Sequence, residues 1–205
     1  MAGLNVNSKN VWSINNNIGQ LADIKSSAIS INLFQPFLLK DFNTSSIAIG
    51  IKTKNGAFGI NYSNYGNEFL QIHSSGFGYS MKLNEVFKSG IKLKHVYKNA
   101  GDFYNSKSII YADFGLAAEL TKELDIGLSI KNPSLVKLDD YNNERIPTVI
   151  QFAANYKFSE MLSLQTGVRK DMIYPLSFLT AIDYQPTEKI ILKGGIGTNP
   201  TIASL

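Results

Sequence analysis

Apolar and polar positions alternate with a period of two through most of the chain. Phe77, Tyr79, Met81 and Leu83 fall on one side of an extended segment, and Gly76, Gly78, Ser80 and Lys82 on the other. Phe114, Leu116, Ala118 and Leu120 oppose Gly115, Ala117 and Glu119 in the same way. Leu124, Ile126, Leu128 and Ile130 oppose Asp125, Gly127, Ser129 and Lys131. Successive side chains of a strand switch faces, so this pattern predicts strands with one apolar and one polar face. It predicts eleven, at 27–34, 44–53, 57–64, 71–83, 86–97, 108–120, 124–131, 148–158, 162–170, 176–185 and 190–198.

Short and long connections alternate along the chain. The short ones are Lys54-Asn55-Gly56, Asn84-Glu85, Thr121-Lys122-Glu123, Ser159-Glu160-Met161 and Pro186-Thr187-Glu188-Lys189. Asn55-Gly56 is the strongest hairpin signal, because a type I′ turn needs positive φ at both central residues. The long ones, at 35–43, 65–70, 98–107, 132–147 and 171–175, are richer in Asn, Asp, Tyr and Pro. Short turns at one end and long loops at the other belong to outer-membrane barrels. A Greek-key sandwich mixes its loop lengths with less order. The predicted fold is all-β: an up-and-down antiparallel transmembrane β-barrel.

The class turns on which face is buried. Gly59, Asn61 and Ser63 lie opposite Phe58, Ile60 and Tyr62, while Ser163, Gln165, Gly167 and Arg169 lie opposite Leu164 and Val168. Small residues suit a crowded lumen better than a solvated surface. Tyr62, Tyr97, Tyr156, Phe158 and Tyr184 gather near strand ends, where interfacial girdles sit, although strand propensity alone also enriches aromatics. The competing reading is a soluble β-barrel with its apolar face inward. Eleven is an odd strand number, and Thr201-Ile202-Ala203-Ser204-Leu205 is not an amphipathic strand ending in an aromatic residue. The expectation is a barrel that continues past this C-terminus, or a count wrong by one or two. Met1 to Asn7 has no basic-then-apolar run of a signal peptide. That leaves a mature chain or fragment, or a mistaken barrel reading.

Composition agrees with one all-β unit. Of 205 residues 44% are hydrophobic and 18% charged, against about 25% charged in an average soluble domain. The net charge is +4, and the cations are scattered, which excludes a nucleic-acid footprint. With no cysteine, thiol catalysis and thiolate metal sites are excluded. No segment approaches the roughly 18 apolar residues of a membrane helix.

Candidate chemistry is sparse. His73 and His95 fall on different strands without a carboxylate at ligand spacing, and read as lumen or interface residues. No Gly-x-Ser-x-Gly elbow, Walker loop or His-Glu-x-x-His occurs. Gly194-Gly195-Ile196-Gly197 follows the strand pattern with no helix after it, so it reads as close-packed backbone. No catalytic residue, cofactor or metal is expected. Asp139, Asp140, Glu144 and Arg145, with Tyr141, form the densest charge cluster, in the longest loop. Their spacing matches no calcium loop. A solvated loop and a partner-facing loop both account for them.

Residues 1–26 precede the first strand and lack alternation over Asn10 to Asp23, which holds the only tryptophan. Their apolar residues need burial and a lumen needs filling. Trp12, Ile14, Asn16, Asn17 and Leu21 are therefore candidate plug residues inside a barrel of residues 27–205. A segment covering the sheet edge explains the same pattern.

Val11-Trp12-Ser13, Asn16-Asn17 and Gly19-Gln20-Leu21-Ala22 together resemble the NNPAGLA-type segment of Bacteroidota outer-membrane barrels. These are the PorV- and PorQ-like proteins linked to type IX secretion, distantly akin to FadL-type fatty-acid channels. Phe37-Leu38-Leu39-Lys40, Asn132-Pro133, Lys137-Leu138, Asp140 to Pro147 and Gly195-Ile196-Gly197-Thr198-Asn199-Pro200 also match, in order. Ile18 stands where that family has Pro-Ala, and its last strands have no counterpart here. The resemblance implies a barrel of the bacterial outer membrane with an N-terminal segment inside it. It leaves the role open.

Three functions follow as expectations. The first is a non-enzymatic accessory or docking component for protein secretion or surface attachment, partnered by outer-membrane lipid and by envelope or secretion proteins. The second is a transporter of hydrophobic small molecules, which requires an apolar pocket near Trp12, Ile14 and Leu21. The third is a soluble β-barrel binding module.

Overall fold

The computed structural model describes residues 4–36, 43–67, 69–99, 106–139, 144–172, 174–187, 190–198 and 202–204. All eleven expected strands form, within two residues of the expected bounds. They are β1 (Ala28–Phe34), β2 (Thr44–Lys52), β3 (Gly56–Gly66), β4 (Gln71–Lys82), β5 (Phe87–Asn99), β6 (Lys107–Glu119) and β7 (Leu124–Lys131). A small hairpin, β8 (Lys137–Asp139) and β9 (Glu144–Arg145), stands in the longest connection. Then come β10 (Val149–Lys157), β11 (Leu162–Asp171), β12 (Ser177–Thr187), β13 (Ile190–Gly197) and β14 (Ile202–Ser204). Elements of two or three residues carry too little alternation to be read from sequence, which is why β8, β9 and β14 were not expected.

Twelve strands make one sheet in chain order, each antiparallel to the next, with β7 pairing directly to β10 across the hairpin. Among the described residues β1 and β14 are its two ends and do not pair with each other. Phe37 to Lys40, Asp140 to Asn143, Glu188, Lys189, Asn199 and Pro200 lie outside the described residues.

The sheet buries its small and polar face. Ser80 is 0% exposed, Lys88 2% and Asp113 5%, whereas Phe77 is 53% exposed, Phe178 59% and Leu192 57%. More than thirty large apolar side chains are exposed. In water each would forgo about 1.5–3 kcal/mol of burial. A soluble barrel does the reverse, so this is the arrangement of a sheet whose outer face meets lipid. The twelve residues of β4 extend about 40 Å at about 3.4 Å each, enough for a tilted crossing.

Aromatic clusters mark both strand ends on the exposed face. At the long-loop end Tyr62 is hydrogen-bonded to His73 Nδ1 at 2.8 Å, and the His73 ring lies 6.1 Å from Tyr97. At the short-turn end Tyr156 and Phe158 meet edge to face at 5.0 Å.

Candidate functional site

The N-terminal segment lies across the buried face of the sheet. It folds as a helical turn, Ser13–Asn16, and a 3-10 helix, Ile18–Asp23. Asn17, between them, accepts from the Gly19 amide at 3.1 Å and donates through Nδ2 to the Leu116 carbonyl at 2.9 Å. One side chain thus caps the 3-10 helix and fastens it to β6.

Packing explains why this face is small. Val11, Ile14, Ile18, Leu21 and Ile24 form one cluster with Ala48 and Ala57, and Trp12 packs against it. Leu4 and Val6 form a second with Ala153, Leu179 and Ala181. The segment therefore runs across the middle of the sheet and reaches its end strand β1. A Cβ on Gly59 would lie 2.7 Å from Leu21 Cδ2, and one on Gly90 2.9 Å from the Ile18 backbone. One on Gly115 would lie 2.6 Å from the Gly19 nitrogen. Backbone meets backbone there, and only glycine leaves the room. Ser80 Oγ donates to the Gly19 carbonyl at 2.9 Å and accepts from the Ala22 amide at 3.2 Å. Trp12 Nε1 donates to Ser30 Oγ at 3.0 Å.

Charge fastens both ends of the segment. Lys9 pairs with Glu119 at 2.5 Å and with Asp125 at 3.2 Å. Asp23 pairs with Lys82 at 3.2 Å and with the buried Lys88, which also reaches Glu119 at 2.8 Å. Burial alone would lower the Lys9 pKa, but its contacts with Glu119 and Asp125 outweigh that and hold it above the usual lysine value. Deeper in, Lys92 donates to the Ile14 carbonyl at 3.0 Å and pairs with Asp113 at 2.8 Å.

The long loop is tied to the same network. Asn132 is fully buried with φ +49°, a left-handed conformation that asparagine tolerates. Its amide donates to Asp113 Oδ1 at 3.1 Å and its Nδ2 to the Ile146 carbonyl at 2.9 Å. Its Oδ1 accepts from the Val136 amide at 3.1 Å, and its carbonyl accepts from Thr148 at 2.6 Å.

The expected plug residues are brought together: Ile14, Asn17 and Leu21 are buried, and Trp12 and Asn16 are half-buried. The expected loop residues are only partly placed. Asp139 stands opposite Glu144 in the backbone register of the small hairpin and Arg145 is exposed, while Asp140 and Tyr141 lie outside the described residues. His73 and His95 face outward on β4 and β5. The ion-pair ladder was not singled out in the sequence, and Asn132 entered only through the Asn132-Pro133 match to the resembled family. The ladder's signal was present: Lys88, Lys92, Asp113, Glu119 and Asp125 all occupy the small-residue parity of their strands. Trp12, Ile14 and Leu21 line neither the outer apolar groove nor the polar cavity beside Asn5 and Asn16. The apolar groove of about 430 Å³ lies on the outer face, between Tyr79, Met81, Ile91 and Phe114.

Neither a protein-family model nor a curated protein matches the chain. Among solved structures it is similar to a Pseudomonas aeruginosa FadL homologue, with TM-score 0.57 and 13% identity, over 98% of this chain and 79% of that one. It is also similar to a KdgM porin, with TM-score 0.47 and 14% identity, over 83% of this chain and 89% of that one. The likeness to the FadL homologue is one of fold alone.

Proposed function

We propose that the protein is a bacterial outer-membrane β-barrel whose N-terminal segment plugs its lumen, and that it acts as a non-enzymatic accessory or docking component for protein secretion or surface attachment. The carrying observation is that the face a pore would need for conduction is already occupied. Leu4 to Ile24 fill it through a glycine socket, two apolar clusters and an ion-pair ladder. The exposed apolar face supports a lipid environment and counts against the soluble binding module. A plugged barrel offers partners its long-loop end, where Asn132 holds the 132–147 loop. The residue matches to PorV- and PorQ-like proteins agree with this role, with type IX secretion as its setting.

A second reading, transport of a hydrophobic small molecule, is favoured by the fold shared with the FadL homologue. It requires the plug to move. Both readings are tested on the native protein from isolated outer membranes. A mobility shift on boiling in SDS marks a closed barrel, since paired strand edges resist SDS until heated. Co-purification of a stable envelope-protein partner, with no conductance in planar bilayers, supports docking. Steady conductance, or a bound lipid by mass spectrometry with no protein partner, overturns it in favour of transport.

A further inference from the structure

We propose that the inner face of the sheet, on the long-loop side of the N-terminal segment, binds a small free oxyanion, with the half-buried Lys131 and the exposed Arg169 as its cationic partners. The two side chains line one polar cavity of about 120 Å³, together with Asn5 and Asn16 of the segment and Gln151 of β10. Register explains why they converge. Lys131 stands opposite Val149 and Arg169 opposite Gln151, so the two flank β10 on the same face, two residues apart.

The cations elsewhere on this face are engaged: Lys88 with Asp23 and Glu119, Lys92 with Asp113, and Lys94 over the Tyr111 ring at 5.7 Å. The side chains of Lys131 and Arg169 make neither a hydrogen bond nor an ion pair among the described residues. Two carboxylates share the Lys131 row of the sheet. Asp113, directly opposite Lys131, is taken by Lys92 and the Asn132 amide. Asp171, opposite Val149, has an interaction of its own. A surplus of positive charge therefore faces a cavity edged with amides. A planar guanidinium presents paired N–H groups to a carboxylate or phosphate, an ammonium adds a point charge, and asparagine amides donate further hydrogen bonds. At about 30 Å³ per water the space holds roughly four waters, or one such group with a water or two. Its polar lining does not suit an acyl chain. The inference needs only the seating of the segment on the sheet, and it goes beyond the docking role.

Isothermal titration of the full chain in detergent micelles at low ionic strength tests it, with inorganic phosphate and acetate as separate probes. One saturable site for either probe is expected, and the stronger binder identifies the oxyanion chemistry. Arg169→Gln should weaken binding about tenfold and the K131Q/R169Q pair about a hundredfold, with chloride at equal ionic strength competing poorly. Asn16→Leu, which fills the cavity without altering charge, should also weaken binding and covers the case in which the double variant fails to fold. Absence of saturable binding by both probes, equal competition by chloride, or unchanged affinity in Asn16→Leu or in a folded double variant would overturn the proposal.

Discussion

Valine at Gly90 and Gly115 would set socket strain directly against plug burial. A Cβ at Gly90 meets the Ile18 backbone at 2.9 Å, and one at Gly115 meets the Gly19 nitrogen at 2.6 Å. Backbone atoms cannot swing aside, so each substitution should cost near the top of the overpacking range, about 3 kcal/mol. Opposing this, the seated segment keeps Ile14, Ile18 and Leu21 at 3% exposure or less, which stabilises it by roughly 5–9 kcal/mol. One valine is therefore outweighed: the segment stays seated and the cost appears as a lower melting temperature in detergent. Two valines bring strain and burial to about the same size, so the segment should leave its socket in a measurable fraction of molecules. Trypsin cleavage after Lys9, which is otherwise held by Glu119 and Asp125, reads that fraction. Single-channel conductance reads the same opening. Ser89→Val, beside Gly90 but on the outer face, is the control. A double variant as protease-resistant and as stable as wild type would refute both the socket and the plug.

Asn132→Ala should destabilise the protein by roughly 2–4 kcal/mol and open the 132–147 loop to proteolysis, because it removes the side chain's hydrogen bonds and strains a left-handed residue. Asn132→Gly relieves the strain alone, so a melting temperature fully restored by glycine would show that those bonds contribute nothing. Lys88→Met leaves Asp23 with Lys82 and Glu119 with Lys9, so a loss of about 3 kcal/mol is expected, at the low end for a broken buried pair. An unchanged thermal melt would mean the ladder is not coupled to folding. Lys9, with its pKa raised in the folded chain, contributes stability that is present below the usual lysine pKa and lost as pH rises through the raised value. Melting temperatures across the alkaline range should fall more steeply for wild type than for Lys9→Met, and parallel curves would contradict the pairing.

The strand order was legible in the chain because a period of two is local: Phe77, Tyr79 and Met81 announce β4 without reference to any other residue. Loop alternation likewise disclosed the up-and-down path, since the tight connection between Lys52 and Gly56 can join only adjacent antiparallel strands, although neither Asn55 nor Gly56 takes the positive φ of the expected type I′ turn. The plug was legible in part. Ile14 and Leu21 needed burial on grounds of hydrophobicity alone, whereas their partners Gly59 and Ala57 come from β3, remote in sequence. The ladder was less legible still, because Lys9 and Glu119 are separated by 110 positions. Asp113 takes both Lys92 and the Asn132 amide only because register aligns β5, β6 and β7. What the sequence determined alone was which residues share a face of each strand. Which face meets lipid, and what the other face holds, was decided in the tertiary structure, because alternation is symmetric and burial breaks that symmetry only once the sheet has wrapped around its own N-terminal segment.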